Sequence, residues 1–380
     1  MRHTCSRTLL LASALGAFVV LGALAFPRPV LANPLVAMKD IGGDGRDDLA
    51  TMYDYGSGKI AFFAFDSTGT GTGTHVTPRK LWGSTSGWTG SRVTPLLADV
   101  TGDGKADVVA AYDYGSAKTG MWVTPGSAGT SSPSKWWQSG TGDWSMSKTK
   151  LSSARAFSGT GPNDPVALYD YGSNTSGLWV FNVHSASLFA PVRIWKSGTG
   201  AFSWSRSKMI AGDFDGDGKG DVAILYDYGS GTSGIWLFRS NGSTYVPSLA
   251  WKSAAGGFPW ANCKLSVGDF DGDGADELMV RYEYGPGGQT GLWRFDAAGA
   301  TMTPHLMAKT YHFFWSLPVE ASDVTNDGTA DVCVWGPGTE DIAASWDMVL
   351  PAMGPTWNDL DGLWESAPHA WNFSQSKMIP

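Results

Sequence analysis

Residues 212–238 read GDFDGDGKGDVAILYDYGSGTSGIWLF. Asp213, Asp215, Asp217 and Asp221 crowd into nine positions, and a run of apolar residues follows at once. Carboxylates at that density repel one another unless a cation sits among them. They occupy positions 1, 3, 5 and 9 of a loop with Gly218 at position 6, where a sharp bend calls for positive φ. A tight loop turns alternate side chains toward one centre and aims the carbonyl of position 7 inward. Hard oxygen ligands in such a flexible cage suit calcium, whereas magnesium demands a stricter octahedron with several waters. The loop holds no His or Cys that would suggest zinc.

The phrase recurs, with its first position at Asp40, Asp99, Ala156, Asp213, Asp269 and Asp323. A period of about 57 residues signals a propeller or solenoid. Each unit repeats one order, seen in the fourth: SKMIAGDF, the acidic loop, DVAILYDYG, SGIWLF, then YVPSLAWKS and a Gly-rich loop. These are four short strand-like runs, and none keeps a helical period. Runs such as VAIL and IWLF are apolar without alternation, so both faces of each sheet should be covered. The expected fold is therefore all-β: a six-bladed propeller of four-stranded antiparallel blades. The C-terminus WNFSQSKMIP restates WSRSKMIA of the fourth unit, and NPLVAMKDIGGDG at residues 33–45 begins where that phrase would continue. The last strand should then complete the first blade and remove an exposed edge.

Residues 1–32 have Arg2 and Arg7 ahead of an apolar stretch from Leu9 to Phe26, and end in small residues at Ala32. That reads as a secretory signal, with a retained membrane anchor as the alternative. The repeats fill residues 33–380, and no later segment could span a bilayer. The formal net charge of −8 becomes more negative without the three basic residues of the signal, and no Lys/Arg block stands out. That excludes a nucleic-acid partner. Cys263 and Cys333 fall in strands where sister repeats carry Ser207 and Ala223. They read either as small buried residues or as a disulfide, which an exported chain permits.

The loops and their setting resemble the FG-GAP/VCBS repeats of integrin α-subunit propellers and of many bacterial exported proteins. The resemblance implies that the loop joins two strands of a blade and binds calcium. It assigns Asp213, Asp215, Asp217 and Asp221 to one site and Asp269, Asp271, Asp273 and Glu277 to the next. Asp99, Thr101, Asp103 and Asp107 form a third, and Asp323, Thr325, Asp327 and Asp331 a fourth; threonine replaces one carboxylate in both, which should weaken them. The first loop offers Asp40, Asp44 and Asp48 but has Gly42 at position 3. The third keeps only Asp164 and should stay empty. Four or five calcium ions are thus expected.

Aromatic residues recur as well. YDYG or YEYG begins at Tyr53, Tyr112, Tyr169, Tyr226 and Tyr282, and a G-x-W position holds Trp122, Trp179, Trp236 and Trp293. The G-x-W residues are expected to wedge between blades. Trp88, Trp144, Trp204 and Trp260, near Gly-rich turns, are either packed or form a sugar-binding surface of aromatic faces beside polar groups. The favoured function is a secreted, non-catalytic binding or adhesion module for a glycan or an extracellular protein. The alternative is a polysaccharide lyase or glycosidase. G-x-S-x-G and H-E-x-x-H are both missing, and His75, His184, His305, His312 and His369 share no repeat position. Glu320, Glu340, Asp341, Asp359, Asp361 and Glu365 gather in the irregular sixth unit, where an individual chemistry would be sought.

Overall fold

The computed structural model describes residues 39–69, 75–126, 132–185, 187–285, 289–311, 319–337, 345–350, 361–365 and 375–380. The expected signal, residues 1–32, lies outside them. Among the described residues the chain forms six four-stranded antiparallel sheets, and no helix is long and apolar enough to cross a membrane. Five sheets, the second to the sixth blades, use consecutive strands. They are Val93–Ala98, Asp107–Gly115, Lys118–Thr124 and Ser134–Gln138; then Thr149–Ala154, Asp164–Asp170, Ser176–Ser185 and Leu188–Lys196. Next come Ser207–Gly212, Asp221–Gly229, Thr232–Ser240 and Tyr245–Lys252; then Cys263–Gly268, Glu277–Glu283, Gln289–Ala298 and Thr301–Tyr311. The fifth of these holds Val319–Ser322, Asp331–Pro337, Ser345–Leu350 and Asp361–Glu365. In the first blade the strand Ser376–Met378 pairs with Leu49–Gly56, placing Met378 opposite Thr51, beside Lys59–Thr68 and His75–Gly83.

The fourth blade shows why these residues make these strands. Val222, Ala223, Ile224 and Leu225 are fully buried, as their unbroken apolar run requires when both faces of a sheet are covered. The Tyr-Asp-Tyr-Gly hairpin turns where Asp227 Oδ1 accepts the Gly229 amide at 2.7 Å. Successive sheets pack face to face. Phe214, Leu237 and Phe258 of the fourth blade, for example, share a core with Leu278, Val280 and Phe295 of the fifth. Leu49, Phe65, Val76 and Met378 pack with Val324 and Cys333 of the sixth blade. Truncating one of the fully buried phenylalanines, Phe62 or Phe238, would cost about 3–5 kcal/mol. The architecture is a β-propeller of four-stranded antiparallel blades.

Cys263 and Cys333 are buried in two different cores and form no disulfide with one another, which decides the open choice. The Cys263 thiol donates to Pro259 O at 3.4 Å, as the Ser207 hydroxyl donates to Ser203 O at 2.8 Å. Because the strands alternate in direction, the loops joining first to second strands sit at one end of each sheet. The Tyr-Asp-Tyr-Gly hairpins sit at the other.

Candidate functional site

At the first end, the acidic loops fold around their own amides. The Asp99 carboxylate accepts the amides of Gly102, Asp103 and Gly104 at 2.6, 3.2 and 2.9 Å, and Asp269 those of Gly272, Asp273 and Gly274 at 2.7, 3.2 and 2.9 Å. Asp40 accepts Gly43, Asp44 and Gly45; Asp213 accepts Asp217 and Gly218; Asp323 accepts Asp327 and Gly328. Such wrapping needs the position-6 glycine in the left-handed region: φ is 84° at Gly218 and 89° at Gly274. Position 5 accepts the amide two residues on, from Asp44 to Arg46, Asp103 to Lys105 and Asp273 to Ala275. Position 9 anchors the loop. Asp48 accepts Ile41, Gly42 and Ser67 amides, Asp107 those of Val100, Thr101 and Gly126, and Asp164 that of Phe157.

Two loops gather carboxylates closely. Asp269, Asp271, Asp273 and Glu277 each bring an oxygen within 4.8 Å of the others, as do Asp213, Asp215 and Asp221. Asp217 turns instead to Lys219 Nζ at 2.6 Å. Among the described residues the carboxylates of the first, second and sixth loops make no such group. Burial raises the carboxyls of Asp221 and Glu277 to about 8, and those of Asp48, Asp107 and Asp331 to about 7. Asp215 Oδ1, Asp221 Oδ2, Asp331 Oδ1 and Thr325 Oγ1 are buried with no hydrogen-bond partner. A buried oxygen left so is costly, and a hard cation is the partner that would satisfy a set of them at once. The fourth loop combines gathered carboxylates with unpartnered buried oxygens and the fifth gathers four carboxylates, so the residues of both fit calcium. Arg294 Nη1 lies 3.3 Å from Asp271 Oδ2, and Arg155 Nε of the third blade 3.7 Å from Asp213 Oδ2.

The loops are also tied to one another. The position-8 amide of each donates to the position-1 carbonyl of the loop before it: Ala106 to Asp40 at 2.6 Å, Asn163 to Asp99 at 2.8 Å, Gly220 to Ala156 at 3.3 Å, Asp276 to Asp213 at 2.8 Å and Ala330 to Asp269 at 2.6 Å. The half-buried Asp276 carboxylate also accepts the Asp213 amide at 2.7 Å, and that of Asp47 accepts the Asp323 amide at 3.1 Å. Position 8 escaped the reading of the sequence because its residue type varies while its main chain does the work.

At the opposite end, Trp88, Trp144, Trp204 and Trp260, expected either to pack or to face a sugar, take two different positions. Trp88 and Trp144 match Phe202 and Phe258, and each ring packs on the leading tyrosine of the next blade, with centroids 5.1 Å apart for Trp88 and Tyr112 and 4.6 Å for Trp144 and Tyr169. Trp144 is 6% exposed, so no face is left for a sugar. Trp204 and Trp260 lie two residues further on, in one-turn 3-10 helices. Their indole nitrogens donate to Leu168 O and Leu225 O at 3.1 Å, and the ammonium groups of Lys150 and Lys208 stand 3.3 and 4.2 Å from their rings. Lys150 also donates to Trp204 O at 3.0 Å and Lys208 to Trp260 O at 2.8 Å, which makes each pair a clasp between blades.

The G-x-W tryptophans and the second tyrosine of each hairpin are partly exposed as well. Trp122, Trp179, Trp236 and Trp293 pack partly against the inter-blade cores, as expected. Their indole nitrogens donate to Tyr114, Tyr171, Tyr228 and Tyr284 hydroxyls at 3.0, 2.9, 2.9 and 3.0 Å. The tyrosine ring lies on the glycine of G-x-W: a Cβ there would meet the ring at 2.9 Å from Gly120 or Gly177, 2.8 Å from Gly234 and 2.7 Å from Gly291. Opposite that glycine on the outer strand stands Lys196, Lys252 or Lys309. A row of tyrosine, glycine and lysine thus crosses the third, fourth and fifth blades, with Gln138 in the lysine place in the second. A diagonal neighbour two residues along a strand is invisible to a pattern read on one strand, which is why the row was missed.

The sequence profile described as an FG-GAP-like repeat matches residues 40–110 and 213–280. A comparison with curated protein sequences finds no match. Among solved structures, a mutant of AofleA from Arthrobotrys oligospora is similar with a TM-score of 0.50 and 9% identity, covering 86% of this chain and 84% of that one. The fungal lectin of Aleuria aurantia, described as a six-bladed β-propeller with a fucose recognition mode, gives 0.43 and 12%, covering 85% and 96%. SapL1 lectin, solved with α-methyl fucoside, gives 0.44 and 10%, covering 83% and 94%. The likeness is one of fold: the chain is a β-propeller of four-stranded antiparallel blades in which two stretches match an FG-GAP-like repeat.

Proposed function

We propose that the protein is an exported, calcium-stabilised, six-bladed propeller, its ring completed by the C-terminal strand, that binds glycan without catalysis. The observation that carries the binding reading is the partly exposed Tyr–Trp pair copied in four successive blades, since one surface motif at a fixed period serves a multivalent ligand. Calcium is supported by the converging carboxylates and the unpartnered buried oxygens of the acidic loops. Completion of the ring is supported by the pairing of Ser376–Met378 with Leu49–Gly56 and by the core shared between first and sixth blades. Export is supported by the apolar leader at residues 1–32. The competing lyase or glycosidase would draw on Glu340, Asp341 and Asp359, which lie outside the described residues; Glu320 is engaged by Lys39 Nζ at 3.3 Å.

A glycan array run with calcium and with chelator, beside lyase and glycosidase assays on common polysaccharides, tests this reading. Glycan binding that weakens in chelator, with no product released, is expected. Product released from a polysaccharide would make the protein an enzyme. Binding to an extracellular protein with silence on the array would replace glycan by a protein ligand.

A further inference from the structure

We infer that the tyrosine–glycine–lysine rows of the third, fourth and fifth blades bind the carboxylate or sulfate groups of an anionic polysaccharide. This rests on the glycan reading above and narrows it to a ligand class.

Lys196, Lys252 and Lys309 are exposed, and their ammonium groups stand 4.4, 4.1 and 4.2 Å from the ring centroids of Tyr171, Tyr228 and Tyr284. The Cε2 edge of each ring lies close over a glycine of the neighbouring strand. One face of the tyrosine is taken by charge and one edge by backbone. A neutral sugar does not find the lysine-covered face open for stacking. What the row offers is an ammonium held over a π surface, which limits the side-chain freedom lost when a ligand binds.

The hydroxyl reinforces the choice. It already accepts the indole N–H of Trp179, Trp236 or Trp293, so its own proton points away from the indole and is free to donate. Ammonium and phenol together present donors, and the complement to a group of donors is an anionic oxygen acceptor. Among the described residues no carboxylate lies within ion-pair distance of these three lysines, although acidic residues outnumber basic ones by 35 to 27. The three lysines recur at the same place in consecutive blades, each opposite its G-x-W glycine. One exposed charge contact is weak, but a polymer carrying an anion on every sugar or every second sugar can engage several together. In the second blade Gln138 takes the lysine place, and the ammonium groups of Lys118 and Lys135 stand 5.8 and 5.6 Å from the Tyr114 and Trp122 ring centroids.

Affinity electrophoresis of the full chain in calcium, through gels containing hyaluronate, dextran sulfate or neutral dextran, tests the inference. Retardation is expected with hyaluronate or dextran sulfate and not with dextran, and the two charged arms tell carboxylate from sulfate. It should vanish at about 1 M salt, where screening acts over about 3 Å. The triple variant Lys196→Gln, Lys252→Gln, Lys309→Gln should bind about tenfold or more weakly at an unchanged melting temperature, and the matching triple Arg variant should restore retardation. Equal retardation by dextran, or full binding by the Gln variant, overturns the anionic class while leaving a glycan ligand in place. Silence with all three polymers here and across the glycan array removes the glycan reading together with this one.

Discussion

Substituting Gly234 by alanine probes the aromatic row directly. The added methyl would sit 2.8 Å from Tyr228 Cε2, 3.1 Å from Leu249 Cδ1 and 3.1 Å from Trp251 O. Carbon contacts are comfortable at about 3.5–4.0 Å, so the ring has to lift by roughly 0.7 Å or more. The carbonyl belongs to a paired outer strand and cannot yield in the same way. Lifting the ring stretches the 2.9 Å bond from Trp236 Nε1 and pushes on Lys252. Overpacking of this kind costs about 1–3 kcal/mol, and the weakened hydrogen bond adds about 1. Gly→Ala returns about 0.4–1 kcal/mol through the unfolded chain, because φ here is not left-handed. The balance is a loss of about 2 kcal/mol, read as a lowered urea midpoint at constant slope. Gly198→Ala is the control: its only neighbour would be Ala201 Cβ at 3.9 Å, and it should change stability by less than about 0.5 kcal/mol. Tyr228→Leu in the Gly234→Ala background should recover part of the loss. Equal stability of the two alanine variants would refute the claim that the glycine makes room for the tyrosine.

Three further outcomes are expected. In chelator, the carboxyls of Asp107 at about 7 and of Asp221 and Glu277 at about 8 hold protons more tightly folded than unfolded, where such groups titrate near 4. The native state then carries more protons between about pH 4 and 8, so stability should fall as pH rises through that window and the fall should disappear in saturating calcium. A chelated protein equally stable at pH 5 and pH 8, by thermal melts, would contradict this. Lys208→Met keeps the stem but leaves Trp260 O and Cys263 O without their donor, and should cost about 1–2 kcal/mol in denaturant unfolding; no loss would mean the clasp is incidental. Removing Ser376–Pro380 uncovers the edge of Leu49–Gly56 and takes away the buried Met378 and Ile379, so light scattering should show aggregation, and a stable monomer would argue against the role given to that strand.

The blades were legible because a period of loops and apolar runs survives any error at strand ends. The left-handed glycine at position 6 followed from the loop alone, and Gly218 adopts it. The tryptophans were not legible in the same way. Trp144 and Trp204 look equivalent when matched by residue type, yet Trp144 corresponds to Phe202, two residues earlier, and its neighbour in the following blade is a tyrosine. Register, set by pairing across strands, decides which aromatic is wedged and which is clasped by lysine. Likewise Asp276 and Arg155 act on the loop of another blade, at a separation that local spacing does not report.

The third loop, with only Asp164 left of the acidic set, shows what its main chain is for. Asn163 N reaches back to Asp99 O, and Ala156 O receives Gly220 N, so this stretch splices the second loop to the fourth. Its length and its turns at Gly159 and Gly161, both left-handed, are dictated by those two neighbours. A propeller built in this manner can lose the chemistry of one link without loosening the belt, whereas one residue inserted between positions 1 and 8 would throw two adjacent links out of reach. Side chains along the belt are free to drift toward any ligand or none, and it is the residue count of each link that the neighbouring blades enforce.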